Sequence, residues 1–218
     1  VERSVPRDGT MRTTRWRGVL LVAVIALAVR LVHVWSTTEV PTARHLLGDA
    51  AGYYGWSQRI AAGEWIGDRG FYQAPLYPYA LAVWRLFGIH SVIGMRILQA
   101  LWGSAACALL CVAASRIFCA RVGFLSGLML ALYGPAIYFD GILQKASLDC
   151  LLVCAAMACI AALSTRRNLL WSALLGAVVS LLCLTRENAI TWHLILPVWL
   201  LLGLLSAAII SGQGNERT

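Results

Sequence analysis

Three ionisable side chains that lie far apart in the chain have the types needed for proton transfer and anion binding: Asp49, Asp149 and Arg186. Asp49 falls in Gly48-Asp49-Ala50-Ala51-Gly52-Tyr53-Tyr54, where a carboxylate is presented without burial in hydrocarbon. There it can act as a general base toward a hydroxyl, or simply cap a helix by accepting from first-turn amides. Asp149 sits in Ala146-Ser147-Leu148-Asp149-Cys150-Leu151-Leu152, near the outer end of an apolar helix. A charge in such a run must face a wet or protein-lined cavity, which makes it a functional candidate by default; capping or snorkelling to the interface is the plainer alternative. Arg186, in Leu184-Thr185-Arg186-Glu187-Asn188-Ala189, offers a planar fork that suits phosphate or carboxylate. The same Arg186-Glu187 pair read plainly only ends a helix.

Other residues add to these three. Arg96 and Lys145 place positive charge near the same face, each with the alternative reading of an interfacial anchor. Tyr53, Tyr54, Tyr72 and Tyr77 can stack on a sugar or cover a headgroup, although tyrosines at an interface are ordinary. Gln73 and Ala74 precede the proline of Phe71-Tyr72-Gln73-Ala74-Pro75-Leu76-Tyr77-Pro78. His33, His45, His90 and His193 stand in no metal-binding spacing, and no Gly-rich phosphate loop, Ser-His-Asp pattern or Walker-type lysine occurs. The seven cysteines lie in or beside apolar runs, without zinc or redox spacing, and are read as packing residues.

The elements that must position these side chains follow from composition. Sixty per cent of the 218 residues are hydrophobic and only 13% are charged, against roughly a quarter charged in a soluble domain. The chain reads as all-α, a polytopic transmembrane bundle. Runs approaching the roughly 17 to 25 apolar residues that cross a bilayer occur at 18–35, 97–114, 122–139, 148–163, 169–184 and 194–210, about six spans. Small residues such as Gly103, Ser104, Ala105, Gly123, Gly127 and Gly176 are expected where helices approach closely. Five segments result: a cytoplasmic tail over 1–17, a first span over 18–35 read as an uncleaved anchor, an outer loop over 36–91, a bundle over 92–210 and a tail over 211–218. Within the loop, Ala50, Tyr54, Ile60 and Ala61 with Trp65 suggest one interfacial amphipathic helix after Asp49, and 79–87 suggests another after Pro78.

The net charge of +8 is arranged for a membrane and argues against a nucleic-acid partner. Arg12, Arg15 and Arg17, then Arg116 and Arg121, then Arg166 and Arg167 occupy alternate loops, which puts them and the N-terminus in the cytoplasm. Glu39, Asp49, Glu64, Asp68, Asp140, Asp149 and Glu187 fall at the opposite face, so polar chemistry is expected outside.

The order of these features resembles the N-terminal part of GT-C membrane glycosyltransferases. The likeness is to the family 39-like group of protein mannosyltransferases and lipid A aminoarabinose transferase, and covers roughly residues 18 to 205. It rests on the Gly-Asp loop, the Pro-Leu-Tyr-Pro segment, Arg96, Ala-Leu-Tyr-Gly-Pro at 131–135, Asp140-Gly141 through Lys145 to Asp149, and Leu-Thr-Arg-Glu-Asn at 184–188. The resemblance implies transfer of a sugar from a polyprenyl-phosphate donor to a lipid, glycan or protein acceptor at the outer face of a bacterial inner membrane. It implies Asp49 as base or acceptor-orienting group, Asp149 as a second acidic position, and Arg186 facing the donor phosphate. Gln73 and Ala74 replace an acidic and a basic residue of the aminoarabinose transferases, which leaves a divalent metal and the sugar open. A transport or solute-binding protein with Asp149 and Arg186 lining the path is the competing class; a structural subunit is the third.

Overall fold

The computed structural model describes residues 8–38, 46–66, 73–165, 168–199 and 201–202, with side chains from 16 onward. Eight α-helices are bounded in it: α1 (Asp8–Ser36), α2 (Asp49–Ala61), α3 (Leu76–Leu86), α4 (Val92–Ile117), α5 (Ala120–Ala131), α6 (Gly134–Asp140), α7 (Ala146–Thr165) and α8 (Leu169–Cys183). A 3₁₀ turn (Glu187–Thr191) and helical residues 192–199 follow. No strand occurs among the described residues.

Three helices are long and apolar enough to cross a membrane: Trp16–Ser36, Val92–Ile117 and Ala146–Thr165. A fourth crossing exists if α5 and α6, bent by 55° at their junction, count as one. The expected unbroken run over 122–139 is therefore two helices, and the reason is in the sequence: Gly134-Pro135 supplies a flexible residue and then one without an amide, so the ladder stops at Ala131. α8 is apolar but has only 15 residues. Most of the run over 194–210, the basic residues Arg12, Arg15, Arg166 and Arg167, and Glu39, His45, Asp68 and Tyr72 lie outside the described residues or side chains.

α4 is the central helix, packed on α1, α5, α6 and α7. Its second half meets the first half of α1 in a cluster of Val19, Val22, Ala26, Cys107 and Cys111, so the two run antiparallel. α7 returns alongside, and its last half packs on the first half of α8 through Cys159, Leu163, Leu175 and Val179. Close approach depends on glycine where the sequence expected it. A Cβ at Gly123 would strike Ser115 and the Cys111 carbonyl, and one at Gly127 would strike Cys111 and Val22. Gly176 has open space around it and Ala105 is exposed, so these two do not serve helix contacts as expected.

Deep between α1, α4 and α6 lies an ion pair that binds the bundle together. Arg30 Nε donates to Asp140 Oδ2 at 2.5 Å, with the two side chains 1% and 4% exposed. Arg30 Nη1 also donates to the carbonyls of Ala26 and Ala131, at 3.3 and 3.2 Å. The Ala131 carbonyl belongs to the end of α5, one of the groups a helix terminus leaves without an internal partner. A Cβ at Gly103 on α4 would fall on both Asp140 Oδ2 and Arg30 Nε. Gly103→Ala should therefore break the pair and cost on the order of 3–5 kcal/mol, the range for stranding a buried charge. Thermal unfolding in detergent checks this against Gly176→Ala, mid-helix with open space, which should keep or slightly raise the midpoint; an equal loss in both would show that the pair does not hold the bundle.

Candidate functional site

α2 and α3 form a hairpin of helices over the end of the bundle where α1 finishes and α4 starts. α2 begins at Asp49, preceded by Gly48 with φ of 57°, a left-handed conformation that glycine adopts without Cβ strain. Asp49 is thus the first helical residue and not its cap, and its exposed carboxylate is used otherwise: Gln73 Nε2 donates to Oδ1 at 2.9 Å. α3 starts at Leu76, three residues before the expected Tyr79, because a proline in the first turn removes an amide that has no helical acceptor anyway. Of the expected face, Ile60 is buried and Ala50 and Tyr54 are half-buried against the core, but Tyr53 and Ser57 are the helix's other fully buried members and Trp65 is exposed.

Two contacts clamp the pair. Arg85 on α3 lies 4.1 Å over the Tyr54 ring and donates from Nε to Ser57 Oγ at 2.9 Å. Tyr54 in turn donates its hydroxyl to the His90 carbonyl at 2.7 Å. The hairpin reaches the bundle through Tyr77, fully buried, which meets Tyr53 edge-on at 5.0 Å between centroids and Trp102 at 6.3 Å. The Tyr77 hydroxyl donates to Gln99 Oε1. Gln99 Nε2 faces the carbonyls of Asp140 and Ile142 at 3.0 and 2.5 Å, so this buried amide joins α3 to the turn after α6. The backbone adds one more tie, Leu76 N–H to the Leu184 carbonyl at the end of α8, at 3.0 Å.

The other half of the site comes from α7 and the end of α8. Asp149, in the first turns of α7, accepts from Arg186 Nε at Oδ2 over 2.6 Å; its side chain is 9% exposed and that of Arg186 is 51% exposed. The remaining oxygen, Asp149 Oδ1, is buried without a hydrogen-bond partner. Tyr53 stands between the halves: its phenol pKa is raised first by burial, then by the charges of Asp49 and Asp149, while Arg186 opposes them. Tyr53 thus feels the charge of all three groups, while direct contacts pair them separately, Asp149 with Arg186 and Asp49 with Gln73.

The remaining expected residues are placed less uniformly. Lys145 is half-buried, and its carbonyl accepts the Asp149 amide at 2.9 Å; Glu187 is exposed at the start of the 3₁₀ turn. Arg96 is 3% exposed within α4, not an anchor at the surface. Tyr77, expected among the tyrosines able to stack on a sugar, is instead fully buried, and its link through Gln99 to the Arg30–Asp140 pair was not read from the sequence. The available signal was polarity alone: a glutamine, an arginine and an aspartate in apolar helices must find partners within the protein.

Among the described residues no group of three or more His, Cys, Asp and Glu is arranged to hold a metal ion. Asp149 offers one free oxygen and Asp49 accepts from Gln73, which is short of a ligand set, so no step is routed through a metal. Comparison with protein-family models, with curated proteins and with solved structures finds no match to this chain. The class that fold and site define is a helical bundle with three or four candidate membrane spans, carrying a charged cluster at one end.

The phenol of Tyr53 gives a pH test of that cluster. Because the folded chain holds this proton more tightly than the unfolded one, whose value is 10.0, the stabilisation is complete below pH 10 and is lost as pH rises from there through the folded value. Tyr53→Phe should lose stability less steeply than the parent above pH 10 in thermal unfolding. Identical slopes would place the phenol in water, away from the carboxylates.

Proposed function

We propose that this chain is a membrane glycosyltransferase of GT-C type, which moves a sugar from a polyprenyl-phosphate donor to a lipid, glycan or protein acceptor at the outer face of a bacterial inner membrane. The observation that carries this reading is a half-exposed guanidinium, Arg186, aimed by the buried Asp149 at the end of the bundle where the helix that opens with the exposed Asp49 packs through Tyr53. Leaving-group departure from an anomeric carbon develops negative charge on a phosphate oxygen, while the incoming hydroxyl must lose a proton. The two charges of the site are of the signs that those events require.

Asp49 keeps Oδ2 for the acceptor hydroxyl while Gln73 holds Oδ1. The acceptor oxygen bonds to the anomeric carbon as the carbon–phosphate-oxygen bond breaks; the proton passes to Asp49 and the electron pair to the leaving phosphate. Asp149 acts on Arg186 rather than on the sugar. By engaging Nε at 2.6 Å it steadies the guanidinium and leaves Nη donors of the fork for the phosphate. Lys145, Arg96 and Glu187 shape the field around that phosphate, and Tyr54 borders the acceptor side. The topology that accompanies this reading has a cytoplasmic N-terminus, about six spans, and α2 and α3 lying along the outer interface with their aromatic side chains at headgroup depth.

The test incubates the purified full-length protein with labelled polyprenyl-phosphate sugars and follows label leaving the lipid. Asp49→Asn should remain folded and inserted while turnover falls on the order of 10²- to 10⁴-fold, the usual contribution of a positioned base. Turnover retained in that variant removes Asp49 as base. Label that crosses vesicles without leaving its carrier selects the transport reading instead, and no turnover with any donor sinks the proposal.

A further inference from the structure

The last turns of α8 carry a second group of reactive side chains that the transfer reading does not use. Cys183 closes the helix, Ser180 precedes it by three residues, and His193 comes back against both from the helical residues 192–199. The imidazole bridges the two: Nδ1 is 3.4 Å from Cys183 Sγ, and Nε2 is 3.2 Å from Ser180 Oγ. The Ser180 hydroxyl itself donates to the Gly176 carbonyl at 2.8 Å.

That last bond decides the tautomer. A hydroxyl has one hydrogen, and here it is committed to Gly176, so toward His193 the Ser180 oxygen accepts and Nε2 carries the proton. In a neutral imidazole the lone pair is then on Nδ1, facing the thiol. Nucleophile, base and an acceptor that orients the base stand in sequence, the arrangement that activates a weak nucleophile.

We propose that Cys183, His193 and Ser180 form a reactive-thiol site whose substrate is a low-molecular-weight disulfide. The choice of electrophile follows from what surrounds the sulfur. Acyl transfer would need amide donors for a tetrahedral oxyanion, but the amides that follow Cys183, those of Leu184, Thr185 and Arg186, are all bonded to carbonyls of the helix end. Thiol–disulfide exchange requires only a thiolate and access to sulfur. His193 Nδ1 takes the thiol proton, Cys183 Sγ attacks one sulfur of R–S–S–R, and the departing R–S⁻ recovers the proton from the imidazolium. The products are a Cys183–S–S–R mixed disulfide and R–SH, with the disulfide as the sole oxidant. Cys183 is half-buried and lies at the same end as Asp49, the exoplasmic side on the topology proposed above, where such disulfides persist. Cys107, Cys111, Cys154 and Cys159 are buried; Cys119 is exposed at the opposite end; Cys150, beside Asp149, is half-buried like Cys183, so modification of Cys150 ahead of Cys183 also counts against the proposal. An adduct on Cys183 would stand one residue beyond the Leu182 carbonyl that accepts the Arg186 amide at 2.8 Å, so this reaction would act on the arginine of the charged cluster.

The experiment uses the full-length protein in detergent, carrying Cys119→Ser, treated with 2-hydroxyethyl disulfide at pH 7. Peptide mass spectrometry follows the adduct at each cysteine. Cys183 should be the first modified. Its rate should fall on the order of tenfold in His193→Gln, because an unassisted thiol is only about a few per cent thiolate at this pH, and by less in Ser180→Ala. Both replaced residues are exposed, so unfolding midpoints should stay with the parent. Cys183 reacting equally fast without His193, or staying unmodified while a buried cysteine reacts, overturns the proposal. Neither readout depends on sugar transfer.

Discussion

Between packed apolar helices a buried polar group has no water to fall back on, and it must be answered by another part of the protein. Arg30 and Asp140 are the extreme case, two opposite charges almost fully shielded from solvent. Their pairing fixes the separation of α1 and α6, and the absence of a side chain at Gly103 lets α4 close over them. From there the order propagates toward the site. Asp140 holds the end of α6; carbonyls of Asp140 and Ile142 accept from Gln99; Gln99 accepts from Tyr77; and Tyr77 supports Tyr53. The surface residues are thus positioned from a buried charge pair through one continuous set of contacts.

The two carboxylates of the cluster show how local surroundings separate the roles of identical groups. Asp49 meets solvent and is steadied by a neutral amide, so it keeps an oxygen available to a ligand. Asp149 is enclosed and its partner is a cation, so its charge serves chiefly to aim that cation. Because the Arg186 side chain remains about half in solvent, the pair avoids the full desolvation cost of a buried bridge while keeping more strength than a surface one.

Much of this architecture was legible in the apolar runs: α1, α4 and α7 fall where hydropathy put spans, and the Gly48-Asp49 step marks the start of α2. The break between α5 and α6 was visible as Gly134-Pro135 yet was passed over within a longer apolar stretch. The packed face of α2 was only partly read, through Ile60, Ala50 and Tyr54; Tyr53 and Ser57 also turn inward because Tyr77 and Arg85 are there to receive them. The Arg30–Asp140 pair spans 110 positions, a separation at which local periodicity carries no information. The Cys183–His193 contact escaped for a related reason: its two residues belong to different helices joined by a turn whose course depends on tertiary packing.

The length of α8 has a consequence for the bilayer itself. At 15 residues and about 1.5 Å of rise each, it covers roughly 22 Å, against a hydrocarbon thickness of about 30 Å. Lipids accommodate such a mismatch by thinning, at a cost of fractions of a kcal/mol per ångström. Under the topology and transfer reaction proposed above, a depression of the membrane surface beside α8 would bring the headgroup plane down to Arg186, shortening the climb of a long-chain phosphate from the leaflet to the guanidinium.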